Sequence, residues 1–542
     1  MSTDALVSHA DLVLQRALLT VVPWNSALSR GLLCILIAWT VWRFWKFTIY
    51  PKRHPDEPKE LPYLIPVLGH GPAFFKDSNG LLARARQHFS RTNEPFSLTA
   101  FGHTFYVVTH AKHSAEVYKN TESLSFEEFV QTLMRVNGSD EETIKTIYSP
   151  ASVHKPGFPN PEGLSVGVLA QRMHVHQLHP GNNMLVLQTK ARDWINRKLS
   201  LEGLAKECKY SSSPSSTRVE VPLYEWTSDY FVRLGQYVYF GDVLDRVDPQ
   251  YPDAFIMFDE LIWKMLYQYP NSLSRDMTDP RDHMIASLKR YFQLPPDERR
   301  GQASWIINAM EDEMRAIGVD NDNLAIVVFH LYFAINTNAR KTSFWMLTHL
   351  MRNPEYMAAF RAETAPAFRG NELVDVSHIQ DATKCPTVDA IWHETLRMYG
   401  WASSVRSVKR DVVIGGKLMR QNNRVMVPHR LLHFDEAVFG QDTASWRPRR
   451  WLDTDAGRKL PSSPSWRPFG GGRTKCSGRF LAKFVVTAFA ATLLRRFDVE
   501  AVGDPPMPEP DVGRPVLGII SVKEGQDYRV SITERKDKDV DA

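Results

Sequence analysis

Apolar residues follow three patterns along this chain. The first is a run from Gly31 to Trp42, framed by Arg30 and Arg43 and continued by Phe44, Trp45, Phe47, Ile49 and Tyr50 with Lys46 between. Its unbroken part is shorter than the roughly 20 residues that cross a bilayer. Arg43 and Lys46 have stems long enough to carry their charges outward, and Trp39, Trp42, Trp45 and Tyr50 suit a membrane interface. The run predicts a single-span anchor over about 28–50 within an N-terminal segment 1–50, the alternative being a buried or in-plane amphipathic helix. It lies too far into the chain for a cleaved signal peptide and lacks a small-residue cleavage site. Lys46, Lys52 and Arg53 place the following body on the cytoplasmic side.

The second pattern is punctuation. Pro51, Pro55, Pro58, Pro62 and Pro66 lead to Gly69-His70-Gly71-Pro72, which predicts a stiff, non-helical hinge over 51–72. The third pattern fills 73–542, read as one domain without repeats, mainly α with a minor β region. Helical periodicity predicts one long helix over Leu324–Met351, closed by Asn353-Pro354, and others over Pro386–Tyr399 and Ser477–Arg496. Strands are expected in Phe96–His110 about a turn at Gly102-His103, at Ser403–Val408, Val412–Ile414, Arg424–Val427, Val516–Val522 and Tyr528–Ile532. Ser211–Ser216 reads as a surface loop.

Composition narrows the function. Of 542 residues, 43% are hydrophobic and 23% charged, which excludes wholesale disorder. A net charge of +5 suits an anionic membrane surface or an acidic protein. No basic run interleaved with aromatics argues for nucleic acid. Cys34, Cys208, Cys385 and Cys476 form no paired motif, so a disulfide framework or zinc cluster is not expected. His174, His176 and His179 have no nearby carboxylate or cysteine and read as a polar loop.

Cys476 stands apart, in Phe469-Gly470-Gly471-Gly472-Arg473-Thr474-Lys475-Cys476-Ser477-Gly478. Glycines before the cysteine allow positive φ and close approach to a flat ligand. A helix N-terminus directly after it would stabilise a thiolate. A thiolate so placed is a strong axial donor to haem iron. The motif F-x-x-G-x-x-x-C-x-G resembles the haem-binding loop of the cytochrome P450 family. Phe469, Gly472, Arg473, Cys476 and Gly478 are thereby the expected cofactor-binding residues, with Cys476 the metal ligand of haem b.

Two further segments carry the resemblance. Glu394-Thr395-Leu396-Arg397 puts an acid and an arginine on one helix face. Trp446-Arg447-Pro448-Arg449-Arg450-Trp451 resembles the family's aromatic-x-Pro-x-Arg-aromatic segment. Glu394, Arg397 and Arg450 are then a structural ion cluster that fixes the meander carrying the cysteine loop. With these segments in order, the chain from about residue 60 onward is identified as a member of the family, and the P450 fold is expected behind the anchor.

The resemblance also implies residues on both sides of the haem. Thr474 stands where the family has an arginine, with Arg473 and Lys475 flanking it. Arg406 has the spacing of a propionate arginine, and His433 matches a position near the haem edge. On the long helix, Ala334-Ile335-Asn336-Thr337-Asn338 aligns with the small residue–Gly-x-acid-Thr segment, which puts Thr337 and Asn338 at the catalytic pair. A register one residue earlier pairs Asn336 with Thr337. Either way the acid is missing, as in the branch of sterol 7α-hydroxylases and prostacyclin synthase, and Phe344-Trp345 agrees with that branch.

The implied activity is an anchored haem-thiolate monooxygenase of the endoplasmic reticulum. Its catalytic domain faces the cytosol and takes electrons from NADPH–cytochrome P450 reductase. The expected substrate is a lipophilic small molecule, as for fungal members that tailor terpenoids, polyketides or alkaloids, and Val516–Ile520 is expected in the pocket wall. Sterol or fatty-acid hydroxylation is one alternative. A haem-thiolate isomerase or dehydratase acting on a peroxide without reductase is another, and a non-catalytic haem sensor a third.

Overall fold

The computed structural model describes residues 27–90, 92–150, 157–212 and 217–535. The segment preceding Ala27 and most of the serine-rich loop lie outside them. The described chain is mainly helical with small sheets. Its longer helices are α1 (Ala27–Phe44), α2 (Gly71–His88), α3 (Ala111–Lys119), α4 (Glu127–Val136), α5 (Val166–Leu178), α6 (Asn182–Lys198), α7 (Leu223–Phe240), α8 (Tyr251–Leu266), α9 (Arg275–Gln293), α10 (Trp305–Ala316), α11 (Asn321–Asn336), α12 (Ala339–Arg352), α13 (Pro354–Thr364), α14 (Pro386–Tyr399) and α15 (Arg479–Arg496).

Strands β1 (Lys59–Glu60), β2 (Phe96–Ala100), β3 (His103–Val107) and β4 (Leu124–Ser125) precede β5 (Arg218–Pro222), β6 (Phe368–Arg369) and β7 (Glu372–Leu373). Then come β8 (Ser403–Val408), β9 (Val412–Ile414), β10 (Lys417–Met419), β11 (Arg424–Pro428), β12 (Phe497–Ala501) and β13 (Arg529–Glu534). The largest sheet runs β1-β2-β3-β11-β8-β4, a second runs β12-β13-β5, and β6–β7 and β9–β10 are hairpins.

The apolar run forms helix from Ala27 to Arg53, 27 residues through a π-helical turn at Trp45–Ile49, with Leu28, Leu32, Ile35, Leu36 and Val41 exposed. At about 1.5 Å per residue such a helix is long enough to cross a membrane. The helix is also tied to the body. Trp39 Nε1 donates to Leu64 O at 2.6 Å, Arg43 donates to Tyr63 O, and Lys46 pairs with Glu60 at 2.8 Å. The proline-rich stretch departs from the expected non-helical hinge, because Pro51–Arg53 continue the first helix and Gly71-Pro72 open α2; between them β1 pairs with β2, and Leu61 N–H reaches Ser97 O at 3.0 Å.

Four more expectations are corrected. The long helix is two, α11 and α12, broken at Thr337 and Asn338. Thr337 keeps its backbone bond to Phe333 O at 3.2 Å and its Oγ1 lies 2.8 Å from the same carbonyl, while Asn338 turns its Oδ1 to the Ile519 N–H at 2.8 Å. Val516–Val522 makes isolated bridges, Ile519 to Gly400 and Val522 to Pro510, because its backbone groups bond side chains and loops. His174 and His176 lie on α5, His176 against Trp305 and His179 against Phe480, so the expected polar loop is helix. The last helix begins at Arg479, two residues later than expected, after a turn at Gly472–Thr474.

Candidate active site

The cysteine loop is shaped from within. Gly470 and Gly472 adopt φ of +69° and +62°, and a Cβ on Gly472 would lie 2.6 Å from Tyr118 O, so glycine is required there. Gly478 has an ordinary φ of −73°. Phe469 packs between Trp392 and Trp466, and its carbonyl accepts the Cys476 N–H at 3.0 Å. The backbone N–H groups of Gly478 and Arg479 point at Sγ. Burial pushes the Cys476 thiol up, while those N–H groups and the Arg479 guanidinium favour the thiolate.

Two observations test whether haem fits. The first is that Cys476 keeps accessible surface at the end of its glycine-shaped loop, so its sulfur is open to a ligand. The second is Arg406. Its guanidinium is buried and meets no carboxylate among the described residues. Its partners are Val405 O at 2.7 Å, Thr474 Oγ1, and the ring faces of Tyr118 and Phe126 at 5.8 and 5.0 Å. Burial lowers its pKa. A buried cation needs a counter-charge, and a haem propionate is one. The residues present fit the group.

Three neighbours of Arg406 escaped the sequence reading. The Tyr118 hydroxyl lies 2.9 Å from Ser404 Oγ and 3.1 Å from His429 Nε2. Burial and the positive charge of Arg467 and Arg406 hold His429 down to about 3, so it is a neutral ring. Arg467 stacks over Tyr118 at 5.5 Å. Tyr118 lies on α3, His429 directly after β11 and Arg467 at the cysteine-loop entry, places that no local pattern connects.

His433 adjoins the entry to the cysteine loop. It is wholly buried, its Nε2 accepts the Arg467 N–H at 2.9 Å, and its carbonyl accepts from Arg397 at 3.2 Å. That makes it a strut between α14 and the cysteine loop. Arg473 is exposed, near Glu162.

Glu394, Arg397 and Arg450 converge. Glu394 accepts from Arg397 Nε and Nη2 at 2.9 and 2.8 Å, Arg450 Nε at 3.2 Å, the Arg447 N–H at 2.9 Å and Trp451 Nε1 at 2.9 Å. Arg397 also holds Thr443 O at 2.9 Å, and Arg450 holds Asp442 at 2.9 Å and Phe439 O. The cluster pins residues 439–451 to α14, upstream of the cysteine loop.

On the other side, Ala334 is exposed although its helix is packed in the core, which marks a second surface on an interior void. Asn338, one turn further on the same face, accepts the Ile519 N–H at Oδ1 (2.8 Å), while its Nδ2 has no partner among the described residues and is not sealed. Thr337 is sealed, with its hydroxyl 2.7 Å from Asp259 Oδ1. Asp259 also binds Lys341 at 3.0 Å and Arg340, and Arg340 reaches Glu260 at 2.7 Å. Despite burial, Arg340 and Lys341 hold Glu260 down to about 2. The sequence reading missed this cluster because α8 carries its acids far from α12.

A family model for cytochrome P450 matches residues 222–522, more than half of the chain. The chain belongs to the cytochrome P450 family and is an oxygenating oxidoreductase; the family implies iron held by a cysteine thiolate. Among curated relatives, it is 25% identical over 464 residues to the cytochrome P450 monooxygenase poxD of Penicillium oxalicum, covering 83% of this chain and 88% of that one. It is 22% identical over 534 residues to the cytochrome P450 monooxygenase nodJ of Hypoxylon pulicicidum, covering 93% of each. Over 331 residues it is 33% identical to the cytochrome P450 monooxygenase pyvB of Aspergillus violaceofuscus, covering 56% of this chain and 63% of that one.

Proposed function

We propose that this protein is a membrane-anchored monooxygenase of fungal secondary metabolism. It oxidises a lipophilic small molecule with dioxygen and electrons from NADPH–cytochrome P450 reductase, in the endoplasmic reticulum with its body in the cytosol. The observation that carries the reading is the accessible sulfur of Cys476 at the end of the loop shaped by Gly470 and Gly472. Haem b, when bound, would supply the activation of dioxygen, one atom of which enters a C–H bond while the other leaves as water with two electrons from the reductase and two protons.

The chain's own residues divide the remaining work. Cys476 would hold the haem iron through its sulfur, and the Gly478 and Arg479 N–H groups would temper the charge of the thiolate. Arg406 neutralises a propionate, with Thr474 orienting its guanidinium. Gly472 keeps the loop against Tyr118. The unpartnered Asn338 Nδ2 holds a water on the distal side; as an amide it donates a hydrogen bond but does not cycle a proton as a carboxylate does. Thr337 is a positioning residue, tying the helix break to Asp259. Arg473 and Lys475, exposed beside Cys476, suit an acidic reductase surface.

Cys476→Ala should abolish the thiolate-type spectrum of the carbon monoxide complex, and a spectrum that persists refutes the ligand assignment. Comparing metabolites of a strain with and without the gene identifies the substrate. A second reading, an isomerase or dehydratase acting on a peroxide, draws support from the distal break, where Asn336-Thr337-Asn338 contains no acid. Single-turnover product from a peroxide substrate without NADPH would establish it in place of the monooxygenase.

A further inference from the structure

We propose that His330 is the polar anchor of the substrate pocket and donates from Nδ1 to a neutral oxygen of a lipophilic substrate. The proposal rests on the monooxygenase reading above and adds a substrate class to it.

The argument begins with which side of α11 is covered. Leu324, Ala325, Ile326, Val328, Phe329, Leu331 and Tyr332 are buried, whereas Val327, His330, Phe333, Ala334 and Ile335 keep accessible surface. Steps of three and four put Val327, His330 and Ala334 on one helix face, and the next step reaches Asn338. The face belongs to a helix packed inside the protein, so it borders interior space. His330 is the titratable member of this stripe.

Its ring has a defined polarity. Nε2 lies 2.8 Å from Asn137 Nδ2. With the amide donating, Nε2 offers its lone pair and the neutral ring carries its proton on Nδ1. Burial holds the His330 pKa down to about 4, so the ring is uncharged at physiological pH. Nδ1 meets no partner among the described residues and is not sealed from the void.

Asn137 is fixed for this task. It caps α4, its own N–H bonding Leu133 O at 3.0 Å and Met134 O at 3.1 Å. Its Oδ1 is sealed and accepts nothing, which costs about 1–3 kcal/mol. The turn thus holds the imidazole at the expense of its own amide. Around the ring the wall is apolar: Phe329 and Phe333 lie at 5.8 and 5.7 Å, the latter edge-on. A directed donor flanked by apolar rings is a usual means of orienting a small molecule.

The ligand class follows. A neutral imidazole offers a carboxylate no counter-charge, so the acceptor is a ketone, ester, ether or alcohol oxygen. Ala334 lies one turn along the same face, about 6 Å by helix rise. The carbon presented at Ala334 is therefore roughly four or five bonds from that oxygen.

The test uses purified haem-loaded full-length protein and matched probes that differ by one carbonyl, nootkatone with valencene and 2-tridecanone with tridecane. Binding is read by equilibrium dialysis. Wild type should take the ketone of each pair about tenfold tighter, as one net hydrogen bond provides. His330→Phe should lose that preference while holding the hydrocarbon within threefold. His330→Gln, which retains a donor, should keep part of it and controls for folding. A wild type with no preference, or that binds neither ketone, overturns the proposal, as does a preference that survives in His330→Phe. Loss of the thiolate-type carbon monoxide spectrum in wild type would overturn the haem reading instead, whereas a normal spectrum without ketone preference overturns only the anchor.

Discussion

Glu394→Gln removes one negative charge and leaves the shape of the side chain intact. Five hydrogen bonds converge on this carboxylate, and the two guanidiniums that supply three of them are buried. Bonds to a charged group contribute about 1.5–3 kcal/mol, against 0.5–1.5 for a neutral one. Glutamine also turns an N–H2 group toward at least one of the five donors. Arg450 keeps Asp442 as a second acid, but Arg397 has none among the described residues. Removing one partner of a buried pair costs about 3–5 kcal/mol, and that is the expected loss here. Urea unfolding of the detergent-solubilised protein, followed by tryptophan fluorescence, measures it. Glu394→Gln with Arg397→Met removes both charges and should be less destabilised than the two single losses added together, because no unpaired guanidinium remains at Arg397. A single-variant loss below about 1 kcal/mol, or full additivity, would refute the view that the cluster acts as one paired unit.

Other predictions follow from the same geometry. Gly472→Ala should lose haem on gel filtration, read as the absorbance ratio of haem to protein, because its Cβ would meet the Tyr118 carbonyl; wild-type retention would show the loop to be pliable. Arg406→Leu should weaken haem retention while leaving or improving the stability of the haem-free protein, since it removes a buried cation without a protein counter-charge. Asp259→Asn leaves Arg340 and Lys341 short of an anion and should cost about 3 kcal/mol or more in urea unfolding. For pH, burial holds His349 down to about 3, whereas an unfolded histidine titrates near 6.5. The unfolded chain therefore binds the extra proton between those values. This stability is complete above about pH 6.5 and falls by up to about 1.4 kcal/mol per unit as pH drops toward 3. Urea midpoints at pH 7 and 5 should differ less in His349→Gln than in wild type.

What the sequence disclosed was whatever its local pattern determines. The Phe469–Gly478 loop, the Glu394–Arg397 face and β2, β3, β8 and β9 were legible because glycine spacing, a three-residue helical step and alternation are properties of short segments. The break at Thr337–Asn338 was not, because apolar periodicity runs straight through it and the contacts made there, Thr337 with Asp259 and Asn338 with Ile519, come from distant elements. Nor was Val516–Val522, which has strand composition but spends its backbone groups on Asn338, Trp345 and Tyr399. Tyr118, His429, Asp259 and Asn137 were missed for one reason: each gains its meaning from a residue more than seventy positions away.

The central sheet carries a consequence for synthesis. Strand β3 pairs along one edge with β2, joined to it by a two-residue turn, and along the other with β11, where Val107 meets Met426. At about 5–20 residues per second, the ribosome takes some tens of seconds to deliver that partner. Through this interval Phe105, Tyr106 and Val107 present an open ladder to any neighbouring nascent chain. Slow translation or a dense polysome should therefore raise the aggregated fraction, and the chain's dependence on a chaperone should end only after Pro428 has left the exit tunnel.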